Sequence, residues 1–306
     1  MTATTPGRPA TAISGRLFEG LLDDAALFPP ASLPMAPAVA GHREALRGAH
    51  APLVGPFVCA AADLPALRSV LDGEGTPDRP AEDLDLALTV PSGAAAVPAA
   101  LAAVAADTRL VLRAVEVPAA ADDVDRLLEV LRGELPPGVA AYVEVPLTPD
   151  GDRREAYRAV AAAGHRVKLR TGGTGPGSAP AAELLAAAVL DCVRLGVAFK
   201  CTAGLHHALR HVDRGTGPRH GFLGVLLATH AALGRPQGQD DPDGVDQVAA
   251  ALTLDDPERA RELVDALTTG EVDRVRAAFT SFGTCSLDEP VHDLRTLGLL
   301  PAGATR

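Results

Sequence analysis

Short apolar segments alternate along this chain with longer stretches of helical spacing. PLVGPFVCA (52–60) is followed by ADLPALRSVLDG, DLALTVP (85–91) by an alanine-rich stretch at 93–106, and RLVLRAVEVP (109–118) by DDVDRLLEVLRGEL. GVAAYVEVP (138–146) leads to GDRREAYRAVAAAG, and HRVKLRTGG (165–173) to APAAELLAAAVLDCVRLG, with GVAFKCTAG (196–204) directly after. A last strand is expected in AAFTSFGTC (277–285), before a tail helix in EPVHDLRTLG. A first strand is expected at Ala25–Phe28, with Asp23 and Asp24 at its start and a helix at 36–49 behind it. Nearly continuous apolar strands, each followed by a helix, mean a parallel sheet covered by helices.

Seven or eight such units predict the α/β class and a (β/α)8 TIM barrel, which typically takes about 250 residues. The competing open, doubly wound sheet lacks support, because no Gly-x-Gly-x-x-Gly follows the early strands. The segment 205–276 is too long for one connection, so extra helices are expected between strands 7 and 8. Their places are 222–233, Val245–Leu252 and Pro257–Leu267, with an exposed loop at 234–244. Residues 1–15 read as a flexible N-terminal tail and 16–306 as a single barrel domain.

Composition narrows the partners. A formal charge of −11 argues against nucleic acid or an anionic membrane surface. No run reaches membrane-spanning length, the N-terminus lacks a signal-type apolar core, and Cys59, Cys192, Cys201 and Cys285 show neither disulfide nor zinc spacing. A cytoplasmic protein acting on a small carbonyl or anionic molecule is expected, with no cofactor; a homo-oligomer is compatible with this reading.

Lysine is nearly absent. Lys168 and Lys200 are the only lysines, and the other 26 of the 28 basic residues are arginine. Arginine stays protonated in a protein, whereas a lysine amine can lose its proton and attack a carbonyl. Both lysines fall at the ends of expected strands, where a barrel presents its catalytic groups. Glu116 and Glu144 fall at the ends of two others, and period-2 alternation puts Lys168 with Arg170, and Lys200 with Thr202, on one face. A second ammonium and an apolar surround would both lower a lysine pKa and expose a nucleophilic amine. The same residues could instead form a buried ion-pair network that fixes strand register without chemistry.

The motifs around these lysines resemble those of the deoxyribose-phosphate aldolase branch of the class I aldolases. That family carries a Schiff-base lysine in a Lys-x-x-Thr-Gly motif on strand six, and Lys168-Leu169-Arg170-Thr171-Gly172 matches it. Its second lysine lies in a Lys-x-x-Gly-Gly-like motif on strand seven; Lys200-Cys201-Thr202-Ala203-Gly204 is similar, with alanine for the first glycine. Its strand eight ends in a Gly-x-Ser-Ser phosphate-binding turn, to which Gly283-Thr284-Cys285-Ser286 is close. The resemblance covers the C-terminal half. It implies a lyase in which Lys168 bonds a small oxo substrate, with a phosphorylated or carboxylated one left open, and Lys200 perturbs it. Glu116 and Glu144 would move protons, with Glu116 standing in for the family's strand-four aspartate. The expected substrate contacts, from these motifs and the loops beside them, are Arg170, Thr171, Gly172, Gly173, Thr202, His206, His207, Gly283, Thr284, Cys285 and Ser286.

Three further signals carry alternatives. His207 and His211 would share a face if 204–211 were helical, so a metal held with Glu116 and Glu144 is a rival function, as is a non-catalytic ligand-binding barrel. The Gly-rich stretch 170–180 could cradle an anion or act as a lid. Asp23 and Asp24 either line the pocket mouth or cap a helix, and Asp288 and Glu289 would start the tail helix.

Overall fold

The computed structural model describes residues 12–74, 82–147, 153–175, 177–235 and 242–301. Eight strands form a closed parallel barrel: β1 (Leu22–Asp24), β2 (Val54–Ala60), β3 (Leu84–Thr89), β4 (Leu110–Pro118), β5 (Ala140–Glu144), β6 (Arg166–Arg170), β7 (Phe199–Thr202) and, after the hairpin strands β8 (His211–Asp213) and β9 (Gly217–Arg219), β10 (Phe279–Thr284). Helix α1 (Ala12–Phe18) precedes the barrel. The crossover helices are α2 (Met35–Arg47), α3 (Leu64–Glu74), α4 (Val97–Ala105), α5 (Val124–Glu134), α6 (Arg153–Ala162) and α7 (Ala182–Arg194). Among the described residues, four helices lie between β7 and β10: α8 (Phe222–Leu233), α9 (Pro242–Leu252), α10 (Pro257–Asp265) and α11 (Thr269–Ala278). Helix α12 (Asp288–Thr296) ends the fold. The chain is a (β/α)8 TIM barrel with an enlarged connection before its last strand.

The period-2 pattern explains the layers. Val115, Val117, Val143, Val167, Leu169 and Cys201 point outward into the continuous core between sheet and helices. The residues between them point inward, where Val58, Ala87, Ala114 and Tyr142 form a separate small cluster. Three of these four are small, which leaves room for a cavity above them. Glu144 is in register with Lys168, and Lys168 with Lys200, so the ionisable ends of β5, β6 and β7 sit at one level.

Several elements depart from the sequence reading. The first strand is Leu22–Asp24, and 25–28 forms a turn; Asp23 and Asp24 therefore end the strand instead of opening it. A strand this short is defined by its partners: Asp23 pairs with Gly283 and Asp24 with Thr284, both far away in sequence. Residues 204–210 are bends and not a helix, and His211 opens the β8–β9 hairpin, which the apolar pattern does not show. Helix α1 begins at Ala12, inside the stretch expected to be a loose tail, while residues 1–11 lie outside those described. Of the expected loop at 234–244, residues 236–241 lie outside those described, and α9 already starts at Pro242. No helix among the described residues is long and apolar enough to cross a membrane.

Candidate active site

Six charged side chains run in alternating order from the barrel interior to its rim. Asp23 on β1 touches the Lys200 ammonium, which also touches one oxygen of Glu116. The other oxygen of Glu116 lies 2.8 Å from Lys168 Nζ, and Glu144 Oε2 lies 3.0 Å from the same nitrogen. Arg170 Nε closes the series by donating to Glu144 Oε1 at 2.7 Å. Asp23, Glu116, Lys168 and Lys200 are buried, and Arg170 is exposed at the rim. One carboxylate thus bridges both lysines of the chain.

The network is anchored from below. Ser281 on β10 donates to Asp23 Oδ2 at 2.8 Å. The Lys200 nitrogen sits 5.2 Å from the centroid of the Tyr142 ring, a cation–π contact. The Tyr142 hydroxyl is fixed by Thr280 Oγ1 at 2.9 Å and by Arg166, which donates to it at 2.8 Å. Gly55 on β2 makes room for Asp23, because a Cβ there would collide with Asp23 Oδ1. Gly55→Ala is expected to destabilise the fold by about 1–3 kcal/mol, as overpacking does, and a fall in melting temperature would show it; an unchanged melting curve would mean that Asp23 is not held in this place.

The neighbours set the charge states. Burial opposes the charge on Lys200, but Asp23 and Glu116 outweigh it and push its pKa above the ordinary lysine value. Burial also opposes ionisation of Glu116, yet the two ammoniums prevail and hold it down, to about 2. For Asp23 burial is the stronger influence and raises its pKa against the pull of Lys200. A second ammonium and an apolar surround would by themselves lower a lysine pKa; at Lys200 the direction is the reverse. The intervening carboxylates, two of them on Lys200, reverse the sign.

Above the lysines opens a cavity of about 400 Å³, within the range of small-molecule sites. Of the candidate site residues, Lys168, Lys200, Glu116, Glu144, Arg170, Gly173, Thr202, His206, Gly283 and Cys285 line it. Five expected contacts do not. Thr171 is buried and its hydroxyl bonds Ala203 O at 2.6 Å, latching the end of β6 to that of β7. Gly172 packs against Gly204 and the Arg219 guanidinium. His207 Nδ1 pairs with Asp293 Oδ2 at 3.1 Å. The Thr284 hydroxyl bonds Ser286 O at 2.8 Å, and Ser286 lies at the start of α12. A larger, shallower groove of about 740 Å³ lies outside and shares Pro118, Glu144 and Arg170 with the cavity, but neither lysine reaches it.

No family model, curated protein or solved structure matches this chain.

The loops that follow the strands complete the wall. Ala203 adopts φ +60°, a left-handed conformation that glycine takes most easily. Alanine thus holds a glycine-like turn directly after β7. Arg219, at the end of the hairpin, donates to Gly173 O at 2.7 Å, Ser178 Oγ at 3.2 Å and Thr216 Oγ1 at 2.8 Å, bracing the β6–α7 loop from behind. Asp24 turns away from the cavity to His42, 3.1 Å from its Nδ1, and accepts from Ala26 N, so it shapes the turn after β1. Cys285 Sγ lies 3.6 Å from His206 Nδ1, whose imidazole also meets Glu289 at 3.3 Å. Burial pushes the Cys285 thiol up, away from the thiolate a nucleophile needs. The metal alternative is not assembled: among the described residues no group of three or more His, Cys, Asp or Glu is arranged to hold an ion. Glu116 and Glu144 aim at ammoniums instead.

Sequence reasoning left the role of Asp23 open and missed the apolar wall formed by Phe28, Pro29, Pro30 and Val58. The one sequence signal for Asp23 is its place in an unbroken Leu-Leu-Asp-Asp run before the double proline.

Proposed function

We propose that this barrel is a Schiff-base enzyme of lyase type, in which Lys168 bonds the carbonyl carbon of a small oxo substrate. The observation that carries the reading is the single carboxylate shared by two buried lysines, the deeper one clamped by a second carboxylate. A buried ion-pair network alone is weak support for stability, since apolar replacements do as well. Here it also lines a cavity of ligand size. The motif resemblance on β6, β7 and β10 points to the same chemistry.

The residues divide the work by position. Lys200, held as an ammonium, supplies a fixed positive charge beneath the reacting carbon and keeps Glu116 ionised. Lys168, nearer the rim, passes a proton to a neighbouring carboxylate and attacks the carbonyl. Loss of water from the carbinolamine leaves an iminium, which draws electrons from the adjacent bond. Glu144 takes and returns the proton. Both oxygens of Glu116 are held by buried ammoniums and its pKa is held low, which makes it a poor base; the oxygens of Glu144 meet Lys168 and the exposed Arg170, and Glu144 faces the cavity from the rim.

Exchange of the α-hydrogens of hydroxyacetone in D2O tests this without knowledge of the natural substrate. The protein should catalyse exchange, and Glu144→Gln should slow it by about 10²–10⁴-fold, the usual weight of a general base, while still forming the imine. Exchange at the buffer rate with wild-type protein would rule the reading out.

A further inference from the structure

Charge balance in the cavity speaks to its substrate. Three cations, Lys168, Lys200 and Arg170, meet three carboxylates, Asp23, Glu116 and Glu144. Each of these cations already touches at least one carboxylate, so an entering phosphate or carboxylate must displace one of them or lie against it. Like charges at that range repel strongly in a site shielded from water. Two other arginines in the neighbourhood do not relieve this. Arg219 is buried behind the loop, directed at Gly173 O, Ser178 and Thr216, and is not part of the wall. Arg126 lines the outer groove, on the far side of the Glu144–Arg170 pair.

Apart from His206, whose imidazole already meets Glu289, the remaining wall carries no charged side chain. Phe28, Pro29, Pro30 and Val58 cover one side, and the Thr202 side chain offers a hydroxyl. An apolar surface with a hydroxyl suits carbon and alcohol groups and gives an anion little compensation for lost water.

We infer that the substrate is a small, uncharged hydroxycarbonyl compound, and that a phosphorylated or carboxylated one is disfavoured. This rests on the Schiff-base reading and narrows its substrate class. The resemblance alone leaves phosphorylated substrates open; the paired cations of this chain argue against them.

The test uses the full-length protein and two matched ketone pairs with sodium cyanoborohydride, which delivers hydride to the iminium and fixes it as a secondary amine. Hydroxyacetone is compared with pyruvate, and dihydroxyacetone with dihydroxyacetone phosphate, each rate divided by that of the same ketone with N-acetyl-lysine amide. Labelling of Lys168 by the uncharged member should be at least about tenfold faster in each pair, a factor equal to 1.4 kcal/mol. Equal or faster labelling by the anion overturns the inference and leaves Schiff-base chemistry standing. Glu144→Gln, which frees Arg170, should shrink the preference. If no ketone labels the protein, the Schiff-base reading falls. Saturation-transfer NMR with dihydroxyacetone and its phosphate then decides the charge question alone: stronger binding of the phosphate overturns the inference, and stronger binding of the uncharged ketone upholds it.

Discussion

Lys200→Met is expected to destabilise the fold by about 3–5 kcal/mol, the cost of removing one partner from a buried ion pair. Asp23 and Glu116 would then face each other without the ammonium between them. The pH dependence separates this from simple loss of packing. A raised lysine pKa contributes stability that is fully present below its ordinary value of 10.5 and disappears only as pH rises through the higher folded value. The depressed Glu116 contributes stability present above its ordinary 4.5 and lost as pH falls toward about 2. Asp23, raised by burial, has the opposite sign and offsets part of this near neutrality. In the variant both carboxylates lose their cation, so acid relieves the defect by protonating them. Urea unfolding at about pH 7 and about pH 4 should show the gap between wild type and variant shrinking in acid. A gap that stays constant with pH would mean that Lys200 acts through packing alone.

Lys168→Arg is the second large effect, and it falls on chemistry. Arginine preserves the charge that meets Glu116 and Glu144 but cannot give up its proton. Borohydride-trapped adduct and α-hydrogen exchange should both fall by about a thousandfold or more, to background. Melting should stay within about 1 kcal/mol of wild type, because the charge pairs survive. If the lysines serve only to fix strand register, Lys168→Arg will match wild type in every assay.

The sequence carries the barrel because its strands alternate strictly. Every inward residue from Ala114 and Glu116 on β4 to Lys200 and Thr202 on β7 follows from period two and a strand boundary good to a residue or two. The scarcity of lysine then marks two positions, and register puts both at one level. What lies between them was not legible. Glu116 bridges the amines through ladder pairings and side-chain reach that local sequence does not encode, and this bridge decides the sign of the Lys200 shift. The first strand is expected too late, because Ala25–Phe28 is the more apolar stretch, while the strand at Leu22–Asp24 is defined by β2 and β10. The same limit hid the hairpin and Arg219, whose partners are the Gly173 carbonyl and the Ser178 and Thr216 hydroxyls. The spacing of His207 and His211 suggests one helical face, and the bends at 204–210 instead send His206 to the cavity and His207 to α12.

Identity of the bonded lysine is the most direct test. Reducing the protein with borohydride in the presence of hydroxyacetone, digesting it and reading the mass of the two lysine-bearing peptides gives an unambiguous answer. The adduct is expected on Lys168 alone, with Lys200 unmodified between its carboxylates; an adduct on Lys200, or on neither, contradicts the account.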